Sequence, residues 1–125
     1  MKVLLDTHVL LWALAEPERI GAEAVAAFRN SITATVVSAA SLWEIAIKRA
    51  AGKLLAPEDL PDRILDLGHE ILPIKAAHAW RAGALPMHHR DPFDRMIVAQ
   101  AQVENLPLVT HDARLAQYDL RILRA

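Results

Sequence analysis

The sequence predicts an α/β fold in three layers, a parallel central sheet with helices on both faces. Three observations predict it. Runs such as KVLL, ITATVVS and LPLVT are largely apolar without strict alternation, as strands buried on both sides require. Between these runs lie segments whose apolar residues recur at helical spacing. Carboxylates fall where strand gives way to helix, and such folds bind ligands beyond the carboxyl ends of their strands.

Residues 2–6 form the first strand, apolar at Val3, Leu4 and Leu5. Residues 8–15 form a short apolar helix, stopped near Pro17. A second helix over 18–29 places Ile20, Ala24, Val25 and Phe28 at helical spacing. The β-branched residues of 32–38 form the second strand. Residues 39–51 form a helix that Gly52 ends, and 57–67 form one that Gly68 closes. A short strand over 70–74 precedes a helix over 76–84. The polar loop from Pro86 to Asp91 leads into a strongly patterned helix over 92–105. Strands at 107–110 and 120–123 complete the order. No linker-like segment divides residues 1–125, which read as a single domain. Trp12, Trp43 and Trp80 lie within helical apolar patterns and are expected in the core. Trp12, with Leu10 and Leu11, could instead line a groove for a partner helix.

Bulk composition narrows the function classes. An apolar content of 54% over 125 residues is ample for a core and argues against disorder. The chain has no cysteine, which excludes disulfides and thiolate metal sites and fits a reducing cytoplasm. The first strand follows Met1 directly, leaving no room for a signal peptide, and no apolar run could span a bilayer. A cytoplasmic protein is therefore expected. The net charge is −1, so any case for nucleic-acid binding must rest on local patches.

The chemistry lies in four acids. Asp6 ends the first strand, Glu44 lies in the helix after the second, and Asp112 follows the run LPLVT. Asp94 opens the helix that begins in HHRDPFDR. If the strands are parallel neighbours, these carboxylates meet in one crevice, where like charges repel unless a cation neutralises them. Hard divalent ions with oxygen ligands do so. Each acid also has a plainer role available. Asp6 could cap the first helix, and Ser41-x-x-Glu44 could form a capping box. Glu44 could pair with Lys48 one turn on, and Asp112 could cap the segment after the fourth strand. Asp91 before Pro92 is the favoured cap-then-proline arrangement, and Asp94 in the same turn suits the helix dipole. Their joint placement on one edge is what the plainer roles leave unexplained.

The segments LLDTHVLLW (4–12), VSAASLWEIAIK (37–48), HRDPFDRMIVAQA (89–101) and LVTHD (108–112) together resemble PIN domains, specifically VapC-type toxins of toxin–antitoxin pairs. The resemblance runs from end to end and implies a three-layer PIN-like fold. It also implies a metal-dependent ribonuclease using Mg²⁺ or Mn²⁺, RNA as substrate, a cognate VapB-like antitoxin and a homodimer. Asp6, Glu44, Asp94 and Asp112 match the family's four acids in order. Thr7, Ser38 and Thr110 stand by as supporting hydroxyls, and Asp91 is an additional acid that could touch metal through water or only cap its helix. Many relatives carry asparagine where this chain has His8. Lys48, His89, Arg90 and Arg95 flank the acids and are candidate contacts to the RNA backbone, which give affinity without sequence information. The products the family implies carry a 5′ phosphate and a 3′ hydroxyl.

Three alternatives compete. A zinc site is disfavoured, because the six histidines show neither H-x₃₋₅-H nor H-E-x-x-H spacing. A phosphoacceptor receiver domain needs an aspartate at the end of its third strand, where this chain has Pro73-Ile74-Lys75. A catalytically silent PIN-like domain that only binds a partner would not need all four acids.

Overall fold

In the computed structural model, which describes residues 1–30 and 32–125, five strands form one parallel sheet. They are β1 (Lys2–Leu5), β2 (Ala34–Ser38), β3 (Glu70–Leu72), β4 (Leu108–Thr110) and β5 (Ile122–Arg124), ordered β3-β2-β1-β4-β5. The helices are α1 (Thr7–Ala15), α2 (Ala22–Arg29), α3 (Ala39–Ala50), α4 (Leu60–Asp66), α5 (Ala76–Ala84) and α6 (Pro92–Glu104). β1 is central, with Leu5 opposite Val37 of β2 and Val109 of β4. After β3 the chain crosses back to the other side of β1. That reversal makes the carboxyl end of β1 the switch point where a crevice opens.

The side-chain alternation of β1 divides the core. Val3 and Leu5 join Val9, Leu10, Ala24, Ile45 and Ile64 on the face covered by α1 to α4. Leu4 packs on the opposite face with Val36, Ile97, Val98 and Leu108, beneath α5 and α6. Burial of these aliphatic side chains, at roughly 25 cal/mol per Å² of apolar surface, is the main force holding helices to sheet.

The expected layout holds, with local differences. The helix expected over 18–29 is broken: Pro17–Arg19 form a 3₁₀ turn and α2 starts after Gly21. A Cβ at Gly21 would come within 3.0 Å of the Ala125 carbonyl carbon, so the C-terminus packs against a backbone that only glycine leaves open. The helix expected from 57 begins at Leu60, after a turn closed by the Leu60 N–H to the Pro57 carbonyl. β3 stops at Leu72 because Pro73 lacks the next backbone donor. Gly52 lies beyond α3 at φ +72°, and Asn105 ends α6 in the left-handed region at φ 53°. The tryptophans correct the expected core. Trp43 and Trp80 are 61% and 86% exposed, and Trp12 is half-buried beneath the Arg19 guanidinium. Their apolar spacing marks one helix face, but does not say whether the chain itself covers that face.

Candidate metal centre

The crevice is assembled from three strand ends and one helix start. Asp6 is both the last residue before α1 and its cap: Oδ1 accepts the Val9 N–H at 2.8 Å. Its Oδ2 accepts a hydrogen bond from the Thr110 hydroxyl of the neighbouring strand. The plainer role and the functional one are therefore compatible in this residue. Burial is the main force raising the Asp6 pKa, and the negative Asp112 adds to it, against the lowering by its two donors.

Glu44 is buried on α3, with Oε2 2.9 Å from the Lys48 ammonium, so the expected pairing one turn along is present. The capping box is not. Ser38 caps α3 by accepting the Ala40 N–H, while Ser41 is buried and accepts a hydrogen bond from Thr7 across to α1. That bond joins the helices carrying Asp6 and Glu44. The other Glu44 oxygen, Oε1, is buried with no hydrogen-bond partner.

Asp91 caps α6, its Oδ1 accepting from the Phe93 and Asp94 N–H groups at 2.8 and 3.1 Å. Asp94 lies in the first turn of α6, with Oδ2 3.0 Å from His89 Nε2. Burial raises its pKa to about 6, with further upward pressure from the charges of Asp91, Asp6 and Glu44. Asp112 differs. Arg114 clasps it with Nε at 3.1 Å from Oδ1 and Nη2 at 2.8 Å from Oδ2, and holds its pKa near 2.

Two expected substrate contacts turn inward. Arg95 donates to the carbonyls of Ala82, Leu85, Pro86 and His89, locking the end of α5 to the loop before α6. His89 is buried, and its Nε2 lies 3.0 Å from Asp94 Oδ2 and 3.3 Å from Asp112 Oδ2. Both Nη atoms of Arg95 are thus occupied by backbone carbonyls, and His89 Nε2 faces the carboxylates. Arg90 is exposed, and Lys48 is half-exposed beside Glu44. Ser38 donates to the buried Gln100 of α6, and so anchors the start of α3 rather than a carboxylate.

Sequence reasoning missed Arg114, Gln100 and Tyr118, whose hydroxyl accepts the His89 N–H at 3.0 Å. Arg114 was findable two residues beyond Asp112. Gln100 carried no motif signal and reads as one polar residue in an apolar helix.

The residues present fit a divalent ion. The donors are carboxylate oxygens suited to a hard cation, one of them is buried and unpaired, and mutual repulsion opposes full ionisation without a counter-charge. His89, Asp94 and Asp112 also offer ligand atoms within 4.8 Å of one another.

Comparison with known proteins agrees with this geometry. The PIN-domain profile matches residues 3–120. Ribonuclease VapC22 of Mycobacterium tuberculosis is 36% identical over 124 residues, covering 93% of this chain and 91% of its own length. The DNA-bound VapBC structure from Salmonella typhimurium superposes with a TM-score of 0.72 at 22% identity, covering 99% of this chain and 98% of that one. The VapBC-1 structure from nontypeable Haemophilus influenzae gives a TM-score of 0.70 at 21% identity, with the same coverage. The chain belongs to the PIN-domain family and is a relative of its VapC members.

Proposed function

We propose that the protein is a divalent-metal-dependent endoribonuclease and the toxin of a type II toxin–antitoxin pair. The observation that supports this reading is the coupling of the acids: the charges of Asp6 and Glu44 bear on Asp94 and that of Asp112 on Asp6, while Glu44 Oε1 is buried and unpartnered. The cofactor is Mg²⁺ or Mn²⁺, held by Asp6, Glu44 and Asp94, with Asp112 direct or through water. A VapB-like antitoxin is the partner, and the working form is a homodimer. The relatives' names, a VapC ribonuclease and VapBC complexes, support the ribonuclease and the antitoxin partner.

When bound, a divalent cation would lower the pKa of a water and offset charge on the scissile phosphate. The chain's own residues prepare for that. Val9 N–H and Thr110 hydroxyl fix the Asp6 carboxylate in one orientation. Lys48 fixes one Glu44 oxygen and leaves the other for the ion. Burial of Asp6 and Glu44 limits screening by bulk water, which strengthens the charge interactions they make. Arg90 and Lys48 supply phosphate contacts.

The deciding experiment is incubation of the purified protein with a labelled RNA pool, in Mg²⁺, in Mn²⁺ and in EDTA. Cleavage is expected with either metal and lost on chelation. Robust cleavage in excess EDTA would reject the metal mechanism, and an intact pool throughout would favour the silent, partner-binding alternative.

A further inference from the structure

Among the described residues, His89 is the nitrogen donor that groups with Asp94 and Asp112, and its surroundings decide what it can do there. Its Nδ1 accepts the Asp91 backbone N–H at 3.1 Å, so that nitrogen must be unprotonated. The proton of the neutral ring therefore sits on Nε2. Nε2 is the atom facing the crevice, where its N–H donates to Asp112 Oδ2 at 3.3 Å and lies 3.0 Å from Asp94 Oδ2. To ligate a cation, Nε2 would have to lose that proton to Nδ1. Two N–H groups would then point at each other, on Asp91 and on the ring. The ring cannot easily turn away: it is buried, and the His89 backbone N–H is itself tied to the Tyr118 hydroxyl.

We propose that His89 is a positioning residue, not a metal ligand: its Nε2–H holds the Asp94 and Asp112 carboxylates at the spacing a shared divalent cation needs. The proposal rests on the metalloenzyme reading above. It gives the Asp91 backbone a second task, because the turn that caps α6 also fixes the His89 tautomer. Groups that orient ligands from outside the coordination sphere typically contribute ~10–100-fold to metal affinity.

The test is a Mn²⁺ titration followed by electron paramagnetic resonance, with Mg²⁺ competition, on the wild-type chain, His89→Gln and His89→Ala. The Gln amide NH₂ can reach the place of the Nε2–H, whereas Ala removes the donor. Thermal melts confirm that each variant is folded. Wild-type Mn²⁺ is expected to show no directly bound ¹⁴N in its electron spin-echo modulation. His89→Ala is expected to lose about tenfold or more in affinity, equally for Mn²⁺ and Mg²⁺, and His89→Gln to recover most of it. A ¹⁴N coupling present in the wild type and absent in both variants would overturn the proposal in favour of direct ligation. Unchanged affinity in His89→Ala would overturn it as well. Should the wild-type chain take up no Mn²⁺, the metalloenzyme reading would itself fall, and this role with it.

Discussion

Asp91 and Asp94 carry the same charge one turn apart, yet the structure gives them different surroundings. Asp91 Oδ1 accepts two backbone N–H groups at the start of α6, a role asparagine fills nearly as well. Asp94 is more buried than an ordinary surface acid and faces the other carboxylates, so its pKa is raised from 3.8 to about 6. For an acid, a raised folded-state pKa means that ionisation costs the folded protein stability. In the metal-free protein, Asp94 therefore contributes a loss of stability as pH rises from 3.8 through about 6. Asp112 has the opposite sign: held near 2 by Arg114, it contributes stability above 3.8 that is lost as pH falls through 2. Asp94→Asn keeps the shape and removes the charged ligand. The expected outcome is abolished cleavage and weakened Mg²⁺ binding, with a melting temperature unchanged or raised near neutral pH. The variant should also lose part of the wild type's change in melting temperature between about pH 4 and 6, which thermal melts across that range would reveal. Asp91→Asn should keep measurable activity and most stability. A dead Asp91→Asn beside an active Asp94→Asn would place the third acid one helical turn away.

The helix starts show how far the sequence could be read. Asp6, Ser38, Asp91 and Asp112 all accept a backbone N–H from the segment they open, and Asp6, Asp91 and Asp112 were legible as caps from residue type alone. Ser41-x-x-Glu44 satisfied the capping-box pattern but lies inside α3, since helix α3 follows Ser38 without a gap. Pattern fixes spacing, while the true start depends on where β2 ends. The four acids were legible because strand ends and helix starts constrain their placement along the chain. The inward turn of His89 and Arg95 was not, because it depends on how α5, α6 and the loop between them meet in space. Arg95 gives a testable case. Its guanidinium donates to carbonyls at Ala82, Leu85, Pro86 and His89, so it joins α5 to the loop that presents His89. Arg95→Met preserves much of the aliphatic stem and removes these donors. It is expected to destabilise the fold by about 2 kcal/mol, since hydrogen bonds from charged donors are among the stronger ones. Chemical denaturation should show the loss, and Mg²⁺ affinity should fall as the loop loosens. A variant of wild-type stability whose only defect is weaker RNA binding would restore Arg95 to the substrate contacts.

Across the whole molecule, apolar side chains remain uncovered on one side of the metal crevice. Trp43 and Ile47 lie one turn apart on α3, and are 61% and 46% exposed. Trp43 meets Phe93 of α6 edge-to-face, with ring centroids 5.2 Å apart, so the patch continues from α3 to the first turn of the helix carrying Asp94. Isolated exposed apolar residues are ordinary, but a joined aromatic and aliphatic patch of this kind marks a contact surface. Aromatic anchors commonly dominate the energetics of such surfaces. The expected occupant is the same patch of a second copy, related by a two-fold axis, since symmetric dimers repeat one self-complementary surface. Covering it would also wall the crevice with a second α3 and deepen the site. Sedimentation equilibrium of the purified chain should therefore report a dimer. Replacing both Trp43 and Ile47 with glutamate should shift the protein to monomer. Because neither side chain is buried, the folded monomer should keep its melting temperature within a few degrees, consistent with the small cost of most surface substitutions. A wild-type chain that stays monomeric at high concentration would reject the self-association, and a double variant that remains dimeric would move the interface elsewhere on the molecule.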